Sequence, residues 1–322
     1  MSRVDINAAI DRLLIKTKGE LLSRIEQLSY NISIQDTGTK VYCHMLKIDA
    51  NGRTRIKDLI DYIDTKLVEY AIPKKDLDTA TRYLQETGSP AKIIELKNKA
   101  NSLFTDLEKT GEGGEILLYI LTQEFLGLPQ LLCKMSLKTS GQLHYQGADG
   151  IHVGFDRENQ NLHLYWGESK MYQTISSAIT ACIESLKGFL LDTQGVSSVQ
   201  ERDLQLITSN INANINNPDF ENIIVRYFDK DDDLSNHIIY KGICFIGFDS
   251  DKYPTEEDLS KTTEFIKAQF DGELASWYEL LKKGIGKHAS LDQKEIHVFL
   301  MPFPSVEKFR DCLLYTSPSP RD

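Results

Sequence analysis

Hydrophobic positions along the first 95 residues recur at helical spacing in some stretches and alternate in others. The spacing predicts a helix over Asp5–Leu28 and another that starts near Ile56. Two β-prone runs, Tyr30–Ile34 and Lys40–Ile48, lie between them. We therefore expect residues 1–95 to form an N-terminal accessory α+β region, in which the sequence suggests no chemistry.

Residues 96–195 carry the clearest pattern, and we expect them to form the core domain. A helix over Glu115–Phe125 is predicted to stop at Gly127 and Pro129. Three β-prone runs and a long helix follow it: Leu131–Leu137, Gly150–Phe155, Leu162–Glu168 and Ile175–Leu190. This order predicts an α/β fold built from a helix, a three-stranded antiparallel meander, a helix and a further strand.

Residues 196–311 form a third, C-terminal α+β region that completes or flanks this core. Strands are predicted over His237–Phe248 and Glu295–Met301, with a helical stretch, Glu256–Lys283, between them. The last eleven residues, CLLYTSPSPRD at 312–322, match the translation of a common transposase sequencing adapter. We expect this tail to be foreign to the natural chain and leave it out of the fold.

Composition and charge narrow the class of protein. The chain is 41% hydrophobic and 26% charged, which is ordinary for a globular protein. It has no apolar run of the roughly 18 residues that a membrane span needs, and no signal peptide, so we expect a cytoplasmic protein without membrane contact. Its five cysteines lack metal-binding spacing and are expected to be free and mostly buried. The net charge of −10 indicates that any affinity for nucleic acid comes partly from a partner.

Two carboxylates are predicted to face each other across a hairpin. The loop between the second and third predicted strands is centred so that Asp149 lies opposite Glu168. Directly opposed residues share a sheet face, with Cβ atoms about 4.5–5.5 Å apart. Both acids continue an apolar face, where a carboxylate is costly unless it is paired or binds metal. Lys170 lies on the same side, and a slip of one residue would separate the group.

This set of residues suits metal-assisted phosphodiester chemistry. Asp149 and Glu168 can hold Mg²⁺, for which Mn²⁺ can substitute, and the metal polarises a phosphate and lowers the pKa of a bound water. Lys170 can orient or deprotonate that water, or stabilise the developing charge. Glu115, after a glycine pair at a helix start, is a fourth candidate and a third metal ligand. Acids favour helix starts for dipole reasons alone, and Glu112 competes for the role.

Several nearby side chains have weaker functional interpretations. We expect His152 to be structural and Trp166 to be part of the core, while Tyr172 and Gln173 could contact DNA. Two lysines on the first predicted strand, Lys134 and Lys138, could meet phosphate or simply face solvent.

Three segments, GEGGEILLYIL, YQGADGIHVGF and LYWGESKMY, resemble the HamA family, the nuclease subunits of the Hachiman anti-phage defence system. The resemblance covers about residues 95–190 and weakens towards about residue 311. It implies a PD-(D/E)xK nuclease fold, and a superfamily 2 helicase partner, HamB, with which DNA is degraded during phage infection. The family's active-site positions fall on Glu115, Asp149, Glu168 and Lys170, with Ala148 in place of the proline of the motif.

The sequence thus favours a Mg²⁺-dependent DNA nuclease subunit under the control of a helicase. Two alternatives stay open. One is a stand-alone restriction-type endonuclease, which would need its own basic cleft. The other is an inactive nuclease fold that acts as a regulatory or binding subunit, against which the presence of Lys170 argues.

Overall fold

A mixed six-stranded β-sheet forms the centre of the described part of the chain. The computed structural model describes residues 5–104, 111–137, 147–191, 199–215, 217–255 and 260–316. Across the sheet the strands are ordered β1-β2-β6-β5-β4-β3. Their bounds are β1 (Ile25–Ser33), β2 (Thr39–Leu46), β3 (Gly150–Asp156), β4 (Asn161–Tyr172), β5 (Ile238–Asp249) and β6 (Ile296–Phe303).

The four inner strands run parallel and form the most buried part of the molecule. β4 pairs with β5, β5 with β6 and β6 with β2, all in parallel, whereas β1 and β3 are antiparallel to their neighbours. Every residue of β6 is buried, as expected for a strand that is covered on both faces. The predicted α/β class is therefore confirmed.

Helices cover both faces of the sheet. The helices of the described residues are α1 (Ile6–Leu13), α2 (Ile56–Ala71), α3 (Lys74–Thr87), α4 (Ala91–Leu103), α5 (Glu112–Leu121), α6 (Ile175–Leu190), α7 (Val199–Asn214), α8 (Pro218–Phe228), α9 (Thr263–Asp271), α10 (Leu274–Gly286) and α11 (Val306–Thr316). α5 packs on the sheet face towards which a side chain at Gly167 would point. A Cβ added at Gly167 would lie 2.9 Å from the Leu118 side chain of α5. α6 lies on the opposite face, where its Phe189 stacks on Trp166.

Two predicted helices differ from the structure. The helix predicted over Asp5–Leu28 ends at Leu13, where the backbone becomes extended at Leu14; Gly19 then turns the chain with a φ of 82° ahead of β1. The predicted helical stretch over Glu256–Lys283 is α9 and α10, which are separated at Gly272, and residues 256–259 lie outside the described residues.

The predicted strand Leu131–Leu137 is wrong, and the three-stranded meander with it. Residues Lys134–Leu137 form a 3-10 helix, and this segment touches β3 only through an isolated bridge at Gln130. Leu131, Leu132 and Cys133 are buried in succession, so the apolar run packs as a turn and not as an alternating strand. In sequence alone, a short apolar run is compatible with either a strand or a buried turn.

The other elements of the core follow the prediction closely. β3, β4, α6, β5 and β6 all lie where the sequence pattern places them. Four cysteines are buried, and Cys312 is exposed. In the described part of the chain, no helix combines the length and the apolar character that crossing a membrane requires.

The Trp166→Ala substitution is expected to destabilise the protein by about 3–5 kcal/mol, because it empties a fully buried site. Urea unfolding measures this change. Phe265→Ala is the control, since Phe265 is 49% exposed and its loss should cost no more than about 0.5 kcal/mol. A similarly small loss for Trp166→Ala would show that the ring is not part of the core.

Candidate active site

The pairing of β3 with β4 brings the predicted acids together. Gly150 pairs with Gly167, Ile151 with Trp166 and Val153 with Leu164, which is the predicted register. The backbone N–H of Asp149 extends this ladder and donates to the carbonyl of Gly167 over 2.8 Å. Asp149 therefore lies at the start of β3, beside Glu168 on the neighbouring strand.

The Asp149 carboxylate continues the hydrogen bonding to β4 beyond the last backbone pair. Its Oδ2 accepts hydrogen bonds from the Ser169 backbone N–H at 2.7 Å and from the Ser169 hydroxyl at 2.9 Å. These bonds hold the Asp149 carboxylate against β4. Ser169 was not singled out from the sequence, although its place inside the E-S-K motif could have pointed to it.

Glu168 is a buried carboxylate that forms an ion pair with Lys170. Its Oε2 lies 3.1 Å from the Lys170 Nζ, and the side chain is 5% exposed. Burial, and then the negative charge of Asp149, raise the pKa of Glu168 to about 8, although Lys170 opposes the shift. The site therefore lacks the positive charge that two ionised carboxylates need at neutral pH.

Lys170 stays protonated in this arrangement. Burial alone would lower the pKa of its ammonium group, but the charges of Glu168 and Asp149 outweigh that effect and raise the pKa. A group with a raised pKa is a poor general base at neutral pH. Lys170 is better suited to stabilise negative charge or to orient a water molecule.

Glu115 faces the same cleft from the first turn of α5. Its Oε2 accepts a hydrogen bond from the Tyr70 hydroxyl at 3.0 Å. Burial, and then the charge of Glu115, raise the pKa of Tyr70, which keeps the phenol protonated as a donor. Glu112 is buried away from this cleft, so the position of Glu115 fits the sequence prediction better. Tyr70 was missed because it falls on the regular apolar face of α2.

A cleft of about 320 Å³ lies beside these groups, and Glu168 is buried next to it without lining it. Its functional side chains are Glu115, Asp149, Ser169, Lys170, Tyr172 and Arg310. Gly114 forms part of its floor and must stay small, since an added Cβ would lie 3.2 Å from the Ser169 hydroxyl. A second groove of about 420 Å³ shares Tyr172 and Arg310 with the cleft and extends to Gln173 and Thr174.

The donor set fits a hard divalent cation. Within the residues that the structure describes, no three or more His, Cys, Asp or Glu side chains are grouped to hold a metal. The predicted set of three metal ligands is therefore wrong for the described structure: Glu115 is not grouped with Asp149 and Glu168, which leaves these two carboxylates as the candidates. Mg²⁺ characteristically binds through one or two carboxylates and completes its coordination with water and substrate phosphates. The pair therefore suits Mg²⁺ better than an ion that requires an all-protein cage.

The weaker candidates separate clearly in the structure. His152 is fully buried, its Nδ1 lies 3.0 Å from the Leu128 carbonyl, and burial lowers its pKa to about 4, so it is structural as predicted. Tyr172 is 44% exposed and lines the cleft. Lys134 does not face solvent, because its side chain is 11% exposed and forms an ion pair with Asp203. Lys138 lies outside the described residues.

Comparison with known proteins identifies one family. The family model for HamA matches residues 23–314 of the 322-residue chain. The match includes every element of the sheet and all four predicted active-site residues. A search of curated proteins found no match.

The metal-free protein should lose stability as pH rises from about 4.5 to about 8, owing to Glu168. The folded state holds this proton more tightly than the unfolded chain does, so ionisation in this range favours unfolding. Glu168→Gln removes the group that titrates. We expect the Tm of the variant to exceed that of the wild type at pH 8.5 and the two to converge near pH 4.5.

Thermal unfolding in EDTA across this pH range measures the difference. Glu295→Gln is the matched control, because the pKa of Glu295 is shifted in the opposite direction. Its hydrogen bond to His297, and then its ion pair with Lys241, lower that pKa to about 2. That substitution should lower stability at neutral pH. A Glu168→Gln variant that gains nothing at high pH would contradict the assigned burial of this carboxylate.

Proposed function

Since the chain belongs to the HamA family and is thereby a component of Hachiman anti-phage defence, we propose that it is a divalent-metal-dependent DNA nuclease subunit controlled by a helicase partner. The observation that carries the proposal is the pairing of buried Glu168 with Asp149 beside Lys170. A carboxylate pair with too little positive charge, of which Asp149 lines the cleft, is suited to bind a cation. A role in hydrolysis accounts for all three side chains at once.

Asp149 and Glu168 are the residues that would hold Mg²⁺ or Mn²⁺, with Glu115 as a further acid on the cleft wall. When bound, the metal would polarise the scissile phosphate and make a water more acidic. The metal charge would also oppose the raised pKa of Glu168 by favouring the ionised carboxylate. Metal binding should therefore release a proton near neutral pH.

Lys170 and the groups at the edge of β4 act on the substrate. The protonated Lys170 is placed to stabilise charge on the phosphoryl oxygens or to orient the attacking water. Arg310 lies between the cleft and the adjoining groove, and its guanidinium donates to the Met171 carbonyl at 2.6 Å. We assign Arg310 and the exposed Tyr172 to the path of the DNA strand, since arginine suits phosphate and an aromatic ring suits a base.

The charge of the chain supports a role for a partner. A net charge of −10 opposes the approach of a phosphate backbone at long range. Among the described residues, the cations that line the cleft are Lys170 and Arg310, which contribute local attraction only. A helicase that already holds DNA would deliver the strand to the cleft at high local concentration. This division of labour is the basis for a helicase of the HamB type as partner.

Cleavage of DNA should require Mg²⁺ or Mn²⁺, the assembled complex with the helicase, and both Glu168 and Lys170. We expect Glu168→Gln and Lys170→Met each to reduce the rate by about 10²-fold or more, because the first removes a metal ligand and the second a positive charge that acts on the reacting phosphate. A time course on labelled DNA with ATP measures the rates. Glu115→Gln should reduce cleavage more than Glu112→Gln does.

Lys241→Met is the matched control, because Lys241 pairs with Glu295 on the same sheet and away from the cleft. It should cleave at nearly the wild-type rate in an intact complex. If the wild type is as inactive as the Glu168 and Lys170 variants in a correctly assembled complex, a regulatory role replaces the catalytic one. Strong sequence-specific cleavage by the chain alone would instead favour a stand-alone endonuclease.

A further inference from the structure

A buried ion pair lies directly behind Asp149. Lys134, in the 3-10 helix Lys134–Leu137, places its Nζ 3.0 Å from Oδ2 of Asp203 in α7. The Asp203 side chain is 0% exposed and that of Lys134 is 11% exposed. A buried ion pair is costly to desolvate and does not by itself indicate a gain in stability. Its position beside the candidate site calls for another explanation.

Both members of the pair hold the residue that precedes Asp149. The Lys134 ammonium donates to the Ala148 carbonyl at 2.7 Å, and the Ala148 N–H donates to Oδ2 of Asp203 at 2.9 Å. The planar peptide group that joins Ala148 to Asp149 is thus held at its oxygen by Lys134. At its nitrogen it is held by the 2.8 Å bond to Gly167. These bonds fix the point from which the Asp149 side chain leaves the backbone.

Gly147 closes the arrangement from the other side. An added Cβ at Gly147 would lie 2.4 Å from Oδ1 of Asp203 and 2.5 Å from Nζ of Lys134. Only glycine allows the backbone to approach the ion pair this closely. Three separate parts of the chain, at 134, 147–148 and 203, therefore meet at one peptide group next to a candidate metal ligand.

We propose that Lys134 and Asp203 are positioning residues, which hold Asp149 in the place where its carboxylate can share a metal ion with Glu168. This inference rests on the proposed function, because the positioning matters only if Asp149 binds metal. It also links α7 to the site, since Asp203 is carried by that helix. Lys134 and Asp203 act through the backbone of Ala148, and neither is among the described residues that line the cleft.

Binding of Mn²⁺ to the complete chain, measured by isothermal titration calorimetry with MnCl₂ at fixed pH, tests the proposal. The wild type should bind Mn²⁺ and Glu168→Ala should not. Asp203→Asn and Lys134→Met should each weaken the affinity by about 10-fold or more, the usual cost of losing a group that orients a ligand. Lys134→Arg, which retains the charge and the donors, should recover part of the loss. A purely structural pair would change Tm and leave the Mn²⁺ affinity of the folded variants unchanged.

Glu201→Gln is the matched control, since Glu201 also lies on α7 but pairs with the exposed Lys230. It should keep the wild-type affinity. Gly147→Ala provides a second route if Asp203→Asn fails to fold, because it pushes the ion pair apart and leaves both charges present; it should weaken Mn²⁺ binding similarly. Folded variants with wild-type affinity would overturn the positioning role alone. Failure of the wild type to bind Mn²⁺ would overturn the proposed function together with it.

Discussion

The register of the β3–β4 hairpin is the constraint on which the candidate site depends. Because Gly150 faces Gly167, Asp149 falls at the point where β3 begins and β4 continues past it. There the side chain of Asp149 replaces the missing backbone partner by accepting from the Ser169 N–H. A slip of one residue would turn Glu168 and Lys170 to the other face of the sheet and leave no pair of acids. The buried apolar neighbours of the hairpin, including Ile151 and Trp166, oppose such a slip.

The charge balance of the site explains both its chemistry and its need for other components. Glu168 is buried next to Asp149, and Lys170 compensates for only one of the two charges. A divalent cation would correct this deficit and also draw in a phosphate group, which an acidic chain would otherwise repel. The same imbalance makes the metal-free state less stable at alkaline pH. The side chains that suit the site for hydrolysis thus lower the stability of the fold, as is often found at functional sites.

Sequence reasoning could predict the parts of the fold whose signals are local. The hairpin register follows from the loop between β3 and β4, and α6 and β5 follow from their periodicity. The turn at Leu131–Met135 could not be predicted, because a short apolar run suits a strand equally well. Tyr70 and Asp203 could not be found either, because α2 and α7 reach the site only through tertiary packing. The pairing of Lys134 with Asp203 joins residues 69 positions apart and leaves no trace in local pattern.

The account is tested most directly by locating a bound metal. Crystals of the protein soaked in MnCl₂ would reveal the ion through anomalous scattering measured on both sides of the manganese absorption edge. We predict a single strong peak between the carboxylates of Asp149 and Glu168, facing the cleft, and no peak there in Glu168→Gln crystals. A manganese ion bound elsewhere in a well-ordered crystal, with this position empty, would contradict the assignment of the two carboxylates as the metal site.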